Sequence, residues 1–503
     1  MTCTDAYGRL TAMSISSPPG PVSSPPALQV ETNGINVIPE DERHGTPRSL
    51  FWPWATSSIS LFNISIAALL TSFGMDFIPS AVAGALGIIA SFFLVGQISL
   101  AGKRASAPTM VISRTAFGIR GNAVPTFISS LTLVGWEVIV VVTTVMAANT
   151  VFSRLGWADG GVVEVIVFVI VVGVVVVAGV FGFRLVTRFQ GVVTVASIAM
   201  ITCFAALTIG NVNWSALGGI DGFTPSGFIG AMVVAAAAFG IGWTNSGADY
   251  SRYLPRGSSG KAIVGWTTFA GSLMPVVLVV YGLMLVTSNP ALASELGDNP
   301  IGTLVSLLPT SALILLPFLL VLSLGTTGSG AMDLYSSGLT LLTLGLKVPR
   351  AVAAGLDGVL MILGSLYLLS FAGSFFGPFE SFLIFLGVPL AAWAGVFIAD
   401  ATYRRADYSS ADLFDVRGCY GSVGWPALGS MIVGTLVGWG LVTSDSSVTL
   451  LAWQGFIFDL LGVAQASTWR DSDLGVIAAL VIGFAGTLVL GRARVRRQEA
   501  TMR

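Results

Sequence analysis

Residues 226–248 read SGFIGAMVVAAAAFGIGWTNSGA. An apolar run of this length can cross a hydrocarbon core of ~30 Å as one helix. Its second half is not a plain membrane helix, however. Gly240-Ile241-Gly242-Trp243 is followed at once by Thr244-Asn245-Ser246-Gly247. A segment in lipid must satisfy its own backbone hydrogen bonds, so breaks survive only where they line a cavity or are buried in protein. The first apolar run has the same character: Pro53 near its start, then Thr56, Ser57, Ser58, Ser60 and Asn63. Small residues also serve close helix packing, and either cluster alone fits that reading. Breaks at matching positions of two halves point further, to an inverted repeat with a binding site near the bilayer midplane.

The rest of the chain supports a membrane setting. Of 503 residues, 54% are hydrophobic and 10% are charged, with a mean hydropathy of +0.85. A soluble domain carries roughly 25% charged residues, so this chain cannot cover a large water-facing surface. Twelve apolar runs fall at 51–73, 78–100, 122–151, 162–182, 189–209, 226–248, 262–287, 310–345, 351–371, 375–399, 424–443 and 474–491. With the N-terminus inside, 22 of the 24 Lys and Arg residues lie on the cytoplasmic side, and only Arg154 and Arg470 lie outside. Dropping one run would invert every later loop and destroy that bias, so helix count and orientation support each other. The expected location is a cell (plasma or inner) membrane, multi-pass, with both termini cytoplasmic.

Residues 1–47 are polar, with Ser17-Pro18-Pro19-Gly20-Pro21 and Ser23-Ser24-Pro25-Pro26. This composition predicts a disordered tail, and it lacks the pattern of a secretory signal. The expected division is that tail, five helices over 48–209, five over 210–400, two accessory helices over 401–491 and a basic tail over 492–503. The net charge of −1 suggests no nucleic-acid partner. Cys3, Cys203 and Cys419 have no metal spacing, and the single histidine, His44, lies in the tail. No cofactor and no certain metal site are expected. A membrane-embedded lipid-modifying enzyme would need clustered carboxylates or a His, Cys or Ser nucleophile set, so no enzyme is expected. A non-transporting sensor on the same fold is harder to exclude by sequence.

Charges inside apolar runs narrow the site, because each costs on the order of 2.5–3.5 kcal/mol at mid-helix. Glu137 follows Trp136 in the third run, Asp333 lies in the eighth, and Glu380 opens the tenth. Asp333 and Glu380 are the candidates for substrate or proton contact. Trp136 and Glu137 are ~100° apart on a helix and cannot both face one cavity squarely. Asp249 is expected to pair with Arg252 one turn on, and Asp357, near Arg350, is expected to be structural. Thr326-Thr327 offers paired hydroxyls for Na⁺, although back-bonding to the preceding turn explains them as well.

Gly247-Ala248-Asp249-Tyr250-Ser251-Arg252-Tyr253-Leu254-Pro255, after Gly242-Trp243-Thr244, resembles the signature of the purine–cytosine permeases of the nucleobase:cation symporter family. Gly135-Trp136, Phe181-Gly182-Phe183 and Leu334-Tyr335-Ser336 agree with it. The resemblance implies an all-α polytopic fold, LeuT-like, of five plus five inverted helices with two added C-terminal helices. It also implies a substrate stacked between Trp136 and Trp243. Stacking suits a planar nucleobase and is worth roughly 1–3 kcal/mol per base. Two departures bear on substrate choice. Val140 stands where the family commonly has an amide, and Asp333 stands where it has the last of several asparagines. The expected substrate-binding set is Trp136, Trp243, Ser60, Asn63, Gly242, Asp333, Glu380 and Ser381. The coupling candidates are Asp333, Glu380, Glu137, Thr326 and Thr327. The expected function is secondary active import of a nucleobase-like heterocycle, cytosine or purine in type, coupled to H⁺ or Na⁺ by alternating access. The chain has no phosphate-binding loop for ATP.

Overall fold

The computed structural model describes residues 33–157, 161–181, 183–371, 375–444 and 448–502; within these, side chains at 178–190, Thr327, Arg350 and Phe371 are not described. All regular elements among the described residues are helices. The first crossing is α1 (Phe51–Ser58) and α2 (Phe62–Thr71), followed by α3 (Phe77–Ala105) and the short α4 (Thr109–Phe117). Then come α5 (Ala123–Arg154), α6 (Gly161–Phe181), α7 (Phe183–Thr208) and α8 (Pro225–Ala236). α9 (Gly260–Ser288), the short α10 (Ala291–Asp298) and α11 (Pro300–Ser306), α12 (Ala312–Leu344), α13 (Arg350–Phe371) and α14 (Phe376–Tyr403) complete the second half. The chain ends with α15 (Trp425–Gly440), α16 (Phe456–Leu460), α17 (Leu474–Leu490) and α18 (Arg492–Thr501).

Eight described helices are long and apolar enough to span a membrane, and the bent pairs α1/α2 and α17/α18 raise this to ten. The shorter α6 and α15 fill the two remaining apolar runs, which agrees with the twelve expected crossings. Large apolar side chains stay on the outside: Val162, Val165, Ile166 and Val169 of α6, Val192 and Val195 of α7, and Leu320 of α12 are all exposed. In water such a band would be a liability; in a bilayer it faces lipid.

Inside, the α3–α9, α5–α12 and α14–α17 contacts dominate the packing. One large apolar cluster unites both halves, and a smaller one joins α5, α6, α12 and α13. Of the expected N-terminal tail, residues 1–32 lie outside the described residues. Residues 33–46 pack against the bundle, with Ile38 only 1% exposed and its N–H bonded to the Ser106 carbonyl. The basic residues 492–501 form α18, whose Arg494 donates to the carbonyls of Tyr420 and Val423. Arg494 is drawn in because loop carbonyls at this face need donors, while Arg492, Arg496 and Arg497 stay exposed.

Candidate functional site

The first crossing breaks at residues 59–61, and its halves bend by 68°. Asn63, in the first turn of the second half, donates from Nδ2 to the Ser58 carbonyl across the break (2.7 Å), while Ser60 Oγ accepts from the Phe62 N–H (3.2 Å). The sequence supplies polar side chains here because helix ends leave backbone groups unpaired. After α8, residues Ala237–Ile241 widen into a π-turn, and Thr244–Ser246 tighten into a 3₁₀ turn. A π-bulge frees backbone groups, as often happens at functional sites. The Gly240 N–H donates to Ser91 Oγ (3.1 Å), and Asn245 Nδ2 donates to Ser129 Oγ (2.9 Å).

A small cavity of 70 Å³ lies between the two breaks. Ser58, Ser60 and Asn63 line it from the first break, Trp136 and Thr143 from α5, Trp243 from the second break, and Thr326 and Asp333 from α12. Trp136 and Trp243 are only half-buried, leaving ring surface to the cavity. The Trp136 ring is set edge-on by Phe379 (5.8 Å) and Phe382 (6.1 Å), and the Trp243 ring by Trp54 (5.8 Å). Edge contacts of this kind hold a ring's plane while leaving its face free. Gly242 is required where it stands, because a Cβ there would lie 2.6 Å from Trp136 Nε1. Ser58 Oγ is buried without a hydrogen-bond partner among the described residues.

The structure therefore brings together Ser60, Asn63, Trp136, Trp243, Gly242, Thr326 and Asp333. It does not bring in Glu380 or Ser381. These lie off the cavity wall on α14, and Glu380 is close enough to Asp473, at the start of α17, for their charges to interact. Glu137 is turned away from the cavity, as its angle to Trp136 requires, and is fully buried. Thr326 back-bonds to the Leu322 carbonyl (3.0 Å) and meets Thr144 Oγ1 (2.8 Å); the Thr327 side chain lies outside the described residues. Asp249 does not take Arg252 as its hydrogen-bond donor: its Oδ1 accepts from the Thr109 N–H (2.7 Å) and hydroxyl (2.8 Å). The sequence reading missed Trp54, Phe92, Ser329 and Phe379. Each looks like ordinary apolar or small-residue helix filling, and only packing reveals its place.

The two ends of the site differ. At the end away from the termini, a vestibule of about 510 Å³ opens between α5, α13 and α14, lined by Asn149, Asp298, Tyr367 and Phe375. Its floor includes Phe379 and Phe382, the same rings that contact Trp136. At the end carrying the termini, Tyr250 Oη approaches Ser336 Oγ (3.2 Å), and buried Arg252 donates to Tyr335 Oη (2.7 Å) and the Gly34 carbonyl (2.9 Å). Arg114 bonds to the Leu413 and Thr343 carbonyls, and Arg404 pairs with Asp400 (2.6 Å).

Residues 37–460 match the family described as permease for cytosine/purines, uracil, thiamine, allantoin. A Bacillus subtilis (strain 168) protein assigned by name to the purine-cytosine permeases is 25% identical over 79% of this chain and 85% of its own. A purine-cytosine permease of Saccharomyces cerevisiae is 22% identical over 77% of this chain and 74% of its own. Among solved structures, a nucleobase-cation-symport-1 family transporter in a closed conformation with bromovinylhydantoin bound has a TM-score of 0.68 at 20% identity. That match covers 94% of this chain and 99% of the other. A Na⁺-coupled sialic acid symporter has the same general fold, with a TM-score of 0.57 at 14% identity, 90% of this chain and 91% of the other being covered.

Proposed function

This chain belongs to the family of permeases for cytosine/purines, uracil, thiamine and allantoin, and on that premise we propose that it imports a small planar heterocycle by cation-coupled alternating access. The observation that carries the reading is the cavity where two broken crossings meet two tryptophans and one carboxylate. A planar ring slides between Trp136 and Trp243, and its polar edge meets Ser58, Asn63 and Asp333. An ionised Asp333 accepts hydrogen bonds only, so it favours a ring edge rich in N–H donors; protonated, it also donates. Such a site rejects analogues that leave its buried polar groups unpaired.

The face carrying the termini is taken as cytoplasmic and the membrane as the cell membrane. Support comes from the bias of Lys and Arg toward that face. In this orientation the structure is closed below the cavity and covered above it by the Phe379 and Phe382 rings. Uptake then proceeds by lifting those rings, seating the substrate, and breaking the cytoplasmic network. One charge crossing 100 mV supplies ~2.3 kcal/mol, roughly fifty-fold accumulation. Two cations compete for the coupling role. A proton needs a titratable group, which Asp333 supplies in the cavity wall. Na⁺ needs oxygen ligands, and Thr326 already spends its hydroxyl on Leu322 and Thr144.

The test is uptake by purified protein in liposomes, using labelled cytosine, adenine, hypoxanthine, uracil, allantoin and pyridoxine. At least one should accumulate, and Trp136→Ala should abolish that uptake at unchanged expression. Unchanged uptake by Trp136→Ala would remove the stacking site; no exchange of any of the six would count against this substrate class.

A further inference from the structure

Glu137 and Asp357 are both 0% exposed, and neither carboxyl has a hydrogen-bond donor among the described residues. Glu137 comes from α5 and Asp357 from α13, helices that pack together, and the two carboxyls are close enough for their charges to interact. α12 packs against both helices and brings Asp333 into electrostatic range of the pair. The surroundings are apolar. Val141 and Val145 of α5, Val171 and Val175 of α6, Leu334 of α12 and Met361 of α13 form the smaller buried cluster around this junction. Close approach is permitted by Gly364, where a Cβ would lie 2.6 Å from Val138, and by Gly358, where it would lie 2.9 Å from Val176.

Elementary electrostatics limits what such a pair can be. Two facing carboxylates with no cation and no donor cannot both carry charge in a low-dielectric interior. A neutral acid facing a carboxylate satisfies both: one O–H donates, one oxygen accepts, and the pair holds a single negative charge. The titratable groups facing this junction are Glu137 from α5, Asp357 from α13 and Asp333 from α12. Tyr250, from the segment after α8, is near Asp333 and points its hydroxyl at Ser336 and the Met332 carbonyl. Ser337 of α12 stands beside Asp357 without closing a hydrogen bond. From α6 the described contacts are apolar: Val171, Val172 and Val175, with Val167, Phe168 and Val176 packed against them. No described Lys, Arg or His forms an ion pair with any of the three carboxyls.

We propose that the Glu137–Asp357 pair is a proton-binding site, separate from the substrate cavity, and that it holds the proton whose movement drives transport. Asp333 connects the two, since it lines the cavity on one side and lies near the pair on the other. A proton arriving from the vestibule with substrate passes by Asp333 to the pair. It leaves to the opposite face when α5 and α13 separate and water reaches the carboxyls. No bond other than O–H is made or broken, and one positive charge crosses per proton carried. This inference rests on the transport reading above, deepens it by naming the cation and its place, and differs from the sequence expectation that Asp357 is structural.

The experiment uses the full chain in Na⁺-free liposomes, with whichever ring of the panel wild type exchanges. An inside-negative potential of ~100 mV should drive about fifty-fold accumulation by wild type, with proton entry read by a trapped pH dye. Accumulation should weaken as external pH rises. Glu137→Gln and Asp357→Asn should each lower accumulation to about onefold and abolish substrate-dependent proton entry. Exchange of labelled for unlabelled substrate, which needs no net proton movement, should stay within about threefold of wild type. That contrast separates coupling from mere structural damage, which would lower both. Wild-type accumulation that needs Na⁺, or variants that still move protons with substrate as wild type does, would overturn the assignment. Loss of exchange in both variants would also overturn it, by making the pair structural. If wild type itself exchanges none of the rings, it is the transport reading that fails.

Discussion

The two ends of the cavity between the broken crossings are built on different principles. At the vestibule end the cover is one layer thick: Phe379 and Phe382, consecutive turns of α14, lie between a 510 Å³ opening and Trp136. At the terminal end the closure is deep and polar. It runs from Tyr250 and Arg252 beneath the cavity, through Arg114 and the Asp400–Arg404 pair, to an outer rim where Arg256 bridges Glu40 and Asp407. The half-buried Phe382 ring meets Trp136 through an edge contact and can swing with its helix end, while Phe379 is stacked on Phe375 and Phe376 within the same short segment. Buried arginines are held by charge-assisted bonds whose loss leaves unpaired groups. One end therefore opens by a local movement, while the other opens only when several helices and both tails move together.

The largest expected effect tests the deep end. Arg404 and Asp400 are nearly buried and bonded at 2.6 Å and 3.0 Å, with Gln498 of α18 joining the guanidinium. Arg404→Ala should destabilise the protein by about 3–5 kcal/mol, because it strands a buried carboxylate. Thermal unfolding in detergent measures it, and a loss near zero would mean that the terminal face is not closed this way. Next is the thin cover. Phe382 is half-buried and meets Trp136 by its edge, so Phe382→Ala removes a contact worth ~0.5–1.5 kcal/mol and bound substrate should leave up to about tenfold faster, as read by dilution of a preloaded complex. If Phe382→Ala proved as damaging to stability as Arg404→Ala, the contrast between the ends would fail.

Smaller effects sharpen the picture. Arg256 is 43% exposed, and its partners Glu40 and Asp407 are above 60%. Arg256→Ala should cost no more than ~1 kcal/mol, and less in high salt. The least effect concerns chemistry at the same face. Burial, aided by the Asp412 carboxylate, pushes the Cys419 thiol up to about 12. Only a thiolate attacks a maleimide readily. Labelling of Cys419 should be slow at neutral pH and still be rising above pH 10, where an ordinary cysteine has levelled off.

Much of this was legible in the chain alone. The span pattern, the breaks near Ser60 and Gly242, and the two tryptophans follow from hydropathy, backbone satisfaction and a family signature, all local in sequence. The acidic residues show where such reading stops. Glu380 follows Phe379 and seemed equivalent to Asp333, yet it is Phe379 that meets Trp136 while Glu380 lies toward Asp473. One position on a helix rotates a side chain by ~100°, and the sequence does not say which side of α14 faces the cavity.

The sequence by itself determined that this chain crosses a membrane many times and that its first and sixth crossings are broken; that Trp136 and Trp243 share a site was only what the family resemblance implied. The first two features are set by composition and spacing along a single segment. Only the tertiary structure decided that Trp54 sets the plane of Trp243, that residues 33–46 close the terminal face, and that Glu137 faces Asp357. These last depend on which helices are neighbours and how each is turned. A carboxyl in an apolar run announces a cost, but its partner, 220 residues away in the chain, appears only when α5, α12 and α13 pack together.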